Sequence, residues 1–244
     1  MTELLLIGIG AGNPDHLTFQ AARALSRADL ILIPLKGAEK ADLAGLRERI
    51  VATHAPQGRV VQFDLPRRAS GGDYLGHVND WHDAIAAAWD AQIRAHLPRG
   101  GTVAVLVWGD PSLYDSSLRI AERLRLPVRV VPGITAIQAL CAAHAVPLND
   151  LGAPVAVTTG RRLRDEGWPP GVDRAVVMLD GDCAFRTLPP AGLHIWWGAY
   201  LGMAQELLAA GPLAETGPRI VEMRAEARAR HGWIMDCYLL ARGG

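Results

Sequence analysis

Cysteine is scarce in this chain: Cys141, Cys183 and Cys237 are its three among 244 residues, and no two form a Cys-x-x-Cys pair. An odd, sparse count argues against a disulfide framework and for a reducing compartment, with all three read as small buried hydrophobes. An excess of one charge is lacking too. Lys+Arg and Asp+Glu both total 25, so no net field draws in nucleic acid or a membrane surface, and neither is an expected partner. No apolar run approaches the roughly 18 residues of a membrane span. The first residues run straight into a strand pattern without a basic segment or small-residue cleavage site. The expectation is a cytoplasmic globular protein, and a composition that is half hydrophobic and one-fifth charged suits a packed core.

Glycine and proline, by contrast, are plentiful at 26 and 16 residues, and they punctuate an alternation of strands and helices. Apolar runs at Glu3 to Ile9, Leu30 to Ile33, Arg59 to Leu65, Thr102 to Trp108 and Val128 to Val131 read as strands,. Helical spacing falls at Leu17 to Ala28, with Asp15 or Thr18 as cap, at 36 to 54, at Ser116 to Leu126 and at Ile134 to Ala145,. The clearest helix carries Val78, Trp81, Ile85, Ala88, Trp89, Ile93 and Leu97 on one stripe and ends at Pro98 and Gly100,. Such alternation predicts a parallel sheet with helices on both faces.

The character shifts near Val146. Beyond it strands are expected at Pro154 to Thr159, Ala175 to Leu179, His194 to Trp197 and Trp233 to Leu240, with helices at Met203 to Ala210 and Pro218 to Arg230,. The last strand follows a helix and glycine break and belongs in a mixed sheet. The fold class is therefore α/β, with two α/β domains over 1–146 and 147–244.

Three turns at strand ends carry the functional signal: Gly8-Ile9-Gly10-Ala11-Gly12-Asn13-Pro14-Asp15-His16-Leu17-Thr18, Gly109-Asp110-Pro111-Ser112-Leu113-Tyr114, and Pro132-Gly133-Ile134-Thr135. Ligands of open α/β sheets bind beyond the carboxyl ends of the strands, and glycines let a ligand approach the main chain. The first turn is an imperfect dinucleotide fingerprint. Its third glycine comes one position early, and no acidic residue ends the next strand, the nearest being Glu39 and Asp42,. This counts against a nicotinamide enzyme.

Taken together and in order, the three turns resemble those of the tetrapyrrole methyltransferases, the class III S-adenosylmethionine enzymes. Ala11 and Asn13 depart from that family's proline and aspartate. Segments at 36–43, 108–116, 158–163, 178–181, 197–202 and 232–236 further resemble a corrin-pathway subgroup that methylates the ring and removes an acetyl group. The resemblance implies a fold with S-adenosylmethionine between two domains, released as S-adenosylhomocysteine, and a tetrapyrrole substrate. Gly109, Asp110 and Leu113 would line one side of the cofactor and Thr135 and Ala136 the other, with Met178, Leu179, Gly198 and Ala199 closing the pocket. Asp110 either binds the methionine amine or fixes its loop. A homodimer is the association the family suggests.

Methyl transfer to carbon is an in-line displacement needing alignment more than acid or base groups. Deacetylation asks for a general base and an oxyanion donor. Asp15, His16 and Tyr114 are the catalytic candidates, with Asp64 and Tyr200 behind them. Arg67 and Arg68 in a glycine-rich loop, and Arg161 and Arg162 opening a helix, are candidates to hold ring carboxylates. Arg164, Arg224, Arg228 and Arg230 read as solvated helix faces. No metal is expected: His77 and His82, with Asp80 and Asp83, have the wrong spacing for one helical face.

Overall fold

The computed structural model describes residues 1–35, 41–66 and 74–243, with only the backbone course given over 41–44 and 74–76. Arg67 and Arg68, and residues 36–40 of the motif at 36–43, lie outside the described residues. The chain divides into two compact units, Met1–Thr135 and Ala136–Gly244.

In the first unit β1 (Thr2–Gly8), β2 (Leu30–Leu35), β3 (Val60–Asp64), β4 (Gly101–Val107) and β5 (Val128–Val131) form a parallel sheet in the order β3-β2-β4-β1-β5. Successive side chains point to opposite faces, so a strand covered on both sides must be apolar throughout. Leu5, Ile7, Ile31, Ile33 and Leu106 pack with α1 (Phe19–Ser26) and α2 (Ala41–His54) on one face. Leu4, Leu6, Leu30, Leu32 and Val105 pack on the other with α3 (Tyr74–His96) and α4 (Ser117–Leu124). The α3 stripe is buried as its spacing predicts, with Ile85, Trp89 and Ile93 all in the core. Thr18 caps α1, its Oγ1 accepting from Ala21 N at 3.0 Å. Asp15 instead lies exposed in a 3-10 turn, Pro14–His16, capped by Asn13.

The second unit opens with α5 (Ala136–His144), which the sequence pattern assigns to the first domain. It packs against strands of the second unit: His144 Nε2 lies 2.9 Å from Trp197 O, and Cys237 Sγ 3.8 Å from Ala136 O. The remaining elements are β6 (Val155–Thr159), α6 (Gly160–Glu166), β7 (Arg174–Met178), β8 (Leu193–Ala199), β9 (Leu207–Pro212), α7 (Leu213–His231) and β10 (Asp236–Arg242). The sheet is mixed, in the order β6-β7-β10-β8-β9, with only β6 and β7 parallel.

One expected helix is a strand. The spacing at Met203 to Ala210 predicts a helix, but Leu207–Pro212 pairs along β8 from Ala199 back to His194. Tyr200 and Gly202, both at positive φ, turn the chain back, and the pairing of an edge strand outweighs a weak local preference. Helix α7 also begins five residues before the expected Pro218, which lies inside it.

His82 sits in the α3 stripe, 3 % exposed, with no hydrogen-bond partner for either ring nitrogen. Burial lowers its pKa; Arg123 and Arg119 lower it further, against a smaller pull from Asp83 and Asp115. As pH falls below about 6.5 the unfolded imidazole takes up a proton that the folded one resists, so stability is full above that pH and lost below it. Urea midpoints measured at about pH 7.5 and about pH 5.5 should therefore fall less on acidification in His82→Phe than in the wild type.

Candidate active site

The three glycine turns of the first unit are knotted together at the carboxyl ends of β4, β1 and β5. Gly109 N donates to Gly10 O at 2.9 Å and Gly10 N to Gly109 O at 3.3 Å. The main chains approach so closely that a Cβ on Gly8 would stand 2.6 Å from Gly133 N and 2.8 Å from Gly109 O. A Cβ on Gly133 would overlap Gly109 O outright. Gly10 and Gly109 have φ of +85° and +65°, a region that side chains disfavour,.

Asp110 ties this knot. Its Oδ1 accepts from Ser112 N at 2.8 Å and Ser112 Oγ at 2.5 Å, while Oδ2 accepts from Gly133 N at 2.8 Å. Both oxygens are engaged inside the protein, and the residue is buried. Burial alone raises its pKa, but the bonds from Ser112 and Gly133 outweigh that and hold the carboxyl below its ordinary value,. These bonds fix the loop, which is one of the two roles open to Asp110 in sequence. Leu113 N closes the same turn on Asp110 O at 3.2 Å, and Thr135 Cα lies 3.9 Å from where a Gly109 Cβ would stand.

Around the knot, His16 packs its Cβ against the bare face of Gly10, and its Nδ1 is buried without a hydrogen-bond partner. Tyr114 follows the second turn, 43 % exposed with φ +48°. Arg47, which sequence patterning gives no role, is buried and donates from Nε to Leu106 O at 3.2 Å, at the end of β4. Its burial lowers its pKa against the pull of Asp115. Asp64 ends β3 and is exposed.

In the second unit β7 and β8 both run antiparallel to β10 between them, so Met178, next to the Val177–Tyr238 pair, and Gly198, paired with Cys237, lie at one end of the sheet. Thr159, paired with Met178, brings α6 to that end. The start of α5 lies close to it through the Ala136–Cys237 contact, and Leu201 and Leu140 fill the space that a Cβ on Gly198 would need. Ala136, Met178, Gly198 and Ala199 are thus gathered in one place. Leu179 stands beside them, 65 % exposed with φ +53°. Among the described residues only Tyr114, a ring with a hydroxyl, and Leu179 are exposed large hydrophobic side chains in the left-handed region. That conformation costs about 1–2 kcal/mol for a residue with a Cβ.

Arg161 and Arg162 open α6 on the surface. The Arg162 guanidinium is held by Glu166, with Nη2 2.8 Å from Oε2 and Nε 3.0 Å from Oε1. Tyr200 cannot serve as a base facing a ligand: it is fully buried, and its hydroxyl donates to Trp233 O at 2.5 Å. Arg224 is not a solvated helix residue either. It pairs with the buried Asp236, Nε to Oδ2 at 2.9 Å, and its fork also reaches the carbonyls of Asp180 and Gly181. Helix periodicity gave no sign of this, because Arg224 and Asp236 are joined by tertiary packing alone.

The profile of the Tetrapyrrole (Corrin/Porphyrin) Methylases matches residues 3–217. The chain belongs to that family. It is 49% identical, over 100% of its length and 96% of the relative's, to a precorrin-6A synthase [deacetylating] of Sinorhizobium sp. It shares 32% identity, over 77% of this chain and 75% of the relative, with a precorrin-2 C(20)-methyltransferase from Sinorhizobium sp. A crystal structure of a cobalamin synthesis related protein (CobF) from Corynebacterium diphtheriae superposes with a TM-score of 0.87 at 39% identity, covering 100% of both chains. The uroporphyrin-III C-methyltransferase of Thermus thermophilus complexed with S-adenyl homocysteine has the same fold, with a TM-score of 0.61 at 22% identity over 98% of this chain and 92% of that one.

Two substitutions test the knot. Gly133→Ala forces main chains apart and should lower the unfolding free energy by about 2–3 kcal/mol in urea titrations. Asp110→Asn leaves the N–H of either Ser112 or Gly133 without its acceptor, a loss of about 1–3 kcal/mol. Because the folded pKa of Asp110 is lowered, that difference should be complete at neutral pH and shrink as pH falls below about 4.

Proposed function

We propose that this methylase is an S-adenosylmethionine-dependent C-methyltransferase of aerobic cobalamin biosynthesis, converting precorrin-5 to precorrin-6A with methylation at ring carbon 1 and release of acetate. The observation that carries the reading is the full-length likeness to the Sinorhizobium precorrin-6A synthase. The residues assigned to the cofactor are Gly109, Asp110, Leu113 and Thr135 in the first unit and Ala136, Met178, Leu179, Gly198 and Ala199 in the second. A surface of bare glycine main chain, with its loops locked by Asp110, fits a ligand recognised through amides and carbonyls,.

S-adenosylmethionine supplies the electrophilic methyl group and is released as S-adenosylhomocysteine. The chain's task is to align the ring carbon with it at about 3–3.5 Å and to exclude bulk water. Water attacks the acetyl carbonyl, the bond between that carbonyl and the ring carbon breaks, and acetate leaves. The electron pair stays on the ring carbon, which takes the methyl. His16 is assigned to accept the proton from the attacking water. It lies against the first glycine turn with one ring nitrogen enclosed and unpartnered, a placement that fixes the imidazole by packing. Asp15, next to His16 in the first turn, and Tyr114, at the end of the second, are the other two catalytic candidates. Arg161 and Arg162, with Arg67 and Arg68, are assigned to the ring carboxylates, Arg162 exchanging Glu166 for substrate. The three free cysteines fit a cytoplasmic location,, and a homodimer is the association we expect from the family.

Incubation with precorrin-5 and methyl-labelled S-adenosylmethionine, followed by NMR, should give ring label and acetate in equal amounts. Label without acetate, or neither, overturns the deacetylating reading. His16→Asn should slow acetate release and labelling together by about 100-fold while leaving cofactor affinity within about twofold, as loss of a general base does.

A further inference from the structure

Leu179 is an exposed apolar residue in a left-handed conformation, and its loop is tied down by hydrogen bonds to buried groups. Asp180, 7 % exposed, follows it. The Asp180 carboxylate accepts from Asp182 N at 3.0 Å through Oδ1, and from Ala184 N and Tyr238 Oη, both at 2.7 Å, through Oδ2. The carboxyl group lies against the bare face of Gly160, where a Cβ would collide with it. From α7, Arg224 donates to Asp180 O at 2.6 Å through Nη2 and to Gly181 O at 2.9 Å through Nη1. The same guanidinium is held by Asp236, whose Oδ2 also accepts from Trp197 Nε1 at 2.8 Å. Burial pushes the Asp236 carboxyl up, and the bonds from Arg224 and Trp197 pull it back.

Three elements, α6, α7 and β10, thus meet on a loop whose exposed large side chain is Leu179, and β8 holds the Arg224–Asp236 pair through Trp197. A fold gains no core from this, because Leu179 buries little. Strain held in place by surrounding structure marks positions where a fixed geometry is used.

We propose that Arg224 is a positioning residue: its two bonds to the Asp180 and Gly181 carbonyls hold Leu179 in the left-handed conformation in which it meets the cofactor. This rests on the assignment of Leu179 to the cofactor in the methyltransferase reading. Arg224 itself touches no ligand; it acts through the loop. Lysine at this position keeps the charge beside Asp236 but has no planar fork with which to reach both carbonyls.

The test is calorimetric binding of S-adenosylhomocysteine, and steady-state methyl transfer, in wild type, Arg224→Lys and Leu179→Gly. Circular dichroism and thermal melts establish that each variant is folded. Arg224→Lys should weaken S-adenosylhomocysteine binding and raise the KM for S-adenosylmethionine about tenfold, with kcat at saturating cofactor within about threefold and the tetrapyrrole KM unchanged. Leu179→Gly, which leaves the clamp whole, should show the same split with little change in melting temperature. If Arg224→Lys does not fold, Leu179→Gly decides the matter, because the proposal requires its cofactor affinity to fall. A folded Arg224→Lys with wild-type affinity, or a drop in melting temperature without the KM split, overturns the positioning role. Wild-type protein that binds no S-adenosylhomocysteine overturns the methyltransferase reading itself and the proposal with it.

Discussion

Where the main chains of Gly8, Gly109 and Gly133 touch, a Cβ on Gly8 or Gly133 would collide with backbone, and the geometry of the three turns follows from that contact. The strand order places β1 between β4 and β5, so the turns leaving these three strands are neighbours by topology. Neighbouring turns would ordinarily be kept apart by their Cβ atoms. Here bare glycines let them merge, and an isolated antiparallel bridge between Gly10 and Gly109 joins two of the turns beyond the parallel sheet. Asp110 then converts proximity into order. A buried carboxylate is costly unless its lone pairs are used, and the donors that use them, Ser112 and Gly133, belong to two different turns.

The second unit repeats the device with other residues. Gly109 and Leu179 are each left-handed, each ends a strand's turn, and each is followed by a buried aspartate. In both cases Oδ1 accepts from the backbone N–H two residues on, Ser112 in one and Asp182 in the other, while Oδ2 accepts from a distant partner, Gly133 N in one and Tyr238 Oη in the other. The difference lies in what stands at the left-handed position. Glycine adopts that conformation without strain, so Gly109 needs no further clamp. Leucine does not, and its loop carries the additional weight of Arg224, Tyr238 and Gly160.

The parallel sheet, the helix stripe of α3 and the meeting of the glycine turns were legible in sequence, because strand burial on two faces and bare main chain both leave direct marks in residue type. The strand at Leu207–Pro212 was not, since its evidence is the partner β8 rather than its own spacing. The roles of Arg224 and Asp236 were hidden for a similar reason. An arginine on a polar helix face looks solvated until the strand that carries its carboxylate partner is placed beside it. Asp110 falls between these cases. Its motif announced importance, but the bonds to Ser112 and Gly133 by which it fixes its loop become visible only when the second and third turns are placed side by side.

This division follows from the chemistry such a site has to perform. A displacement at carbon is accelerated mainly by alignment, and alignment is a property of rigid backbone more than of any one acid or base. A site of that kind shows few charged groups aimed outward and many hydrogen bonds directed inward, holding loops whose exposed atoms are main chain or apolar. Tyr114 and Leu179 fit this description: neither is buried enough to build a core, and both are held in a conformation that costs energy,. A fold under selection for stability alone would place glycine or asparagine there. Strain carried by an exposed side chain marks a position whose fixed geometry is used, which is the role our reading gives Leu179.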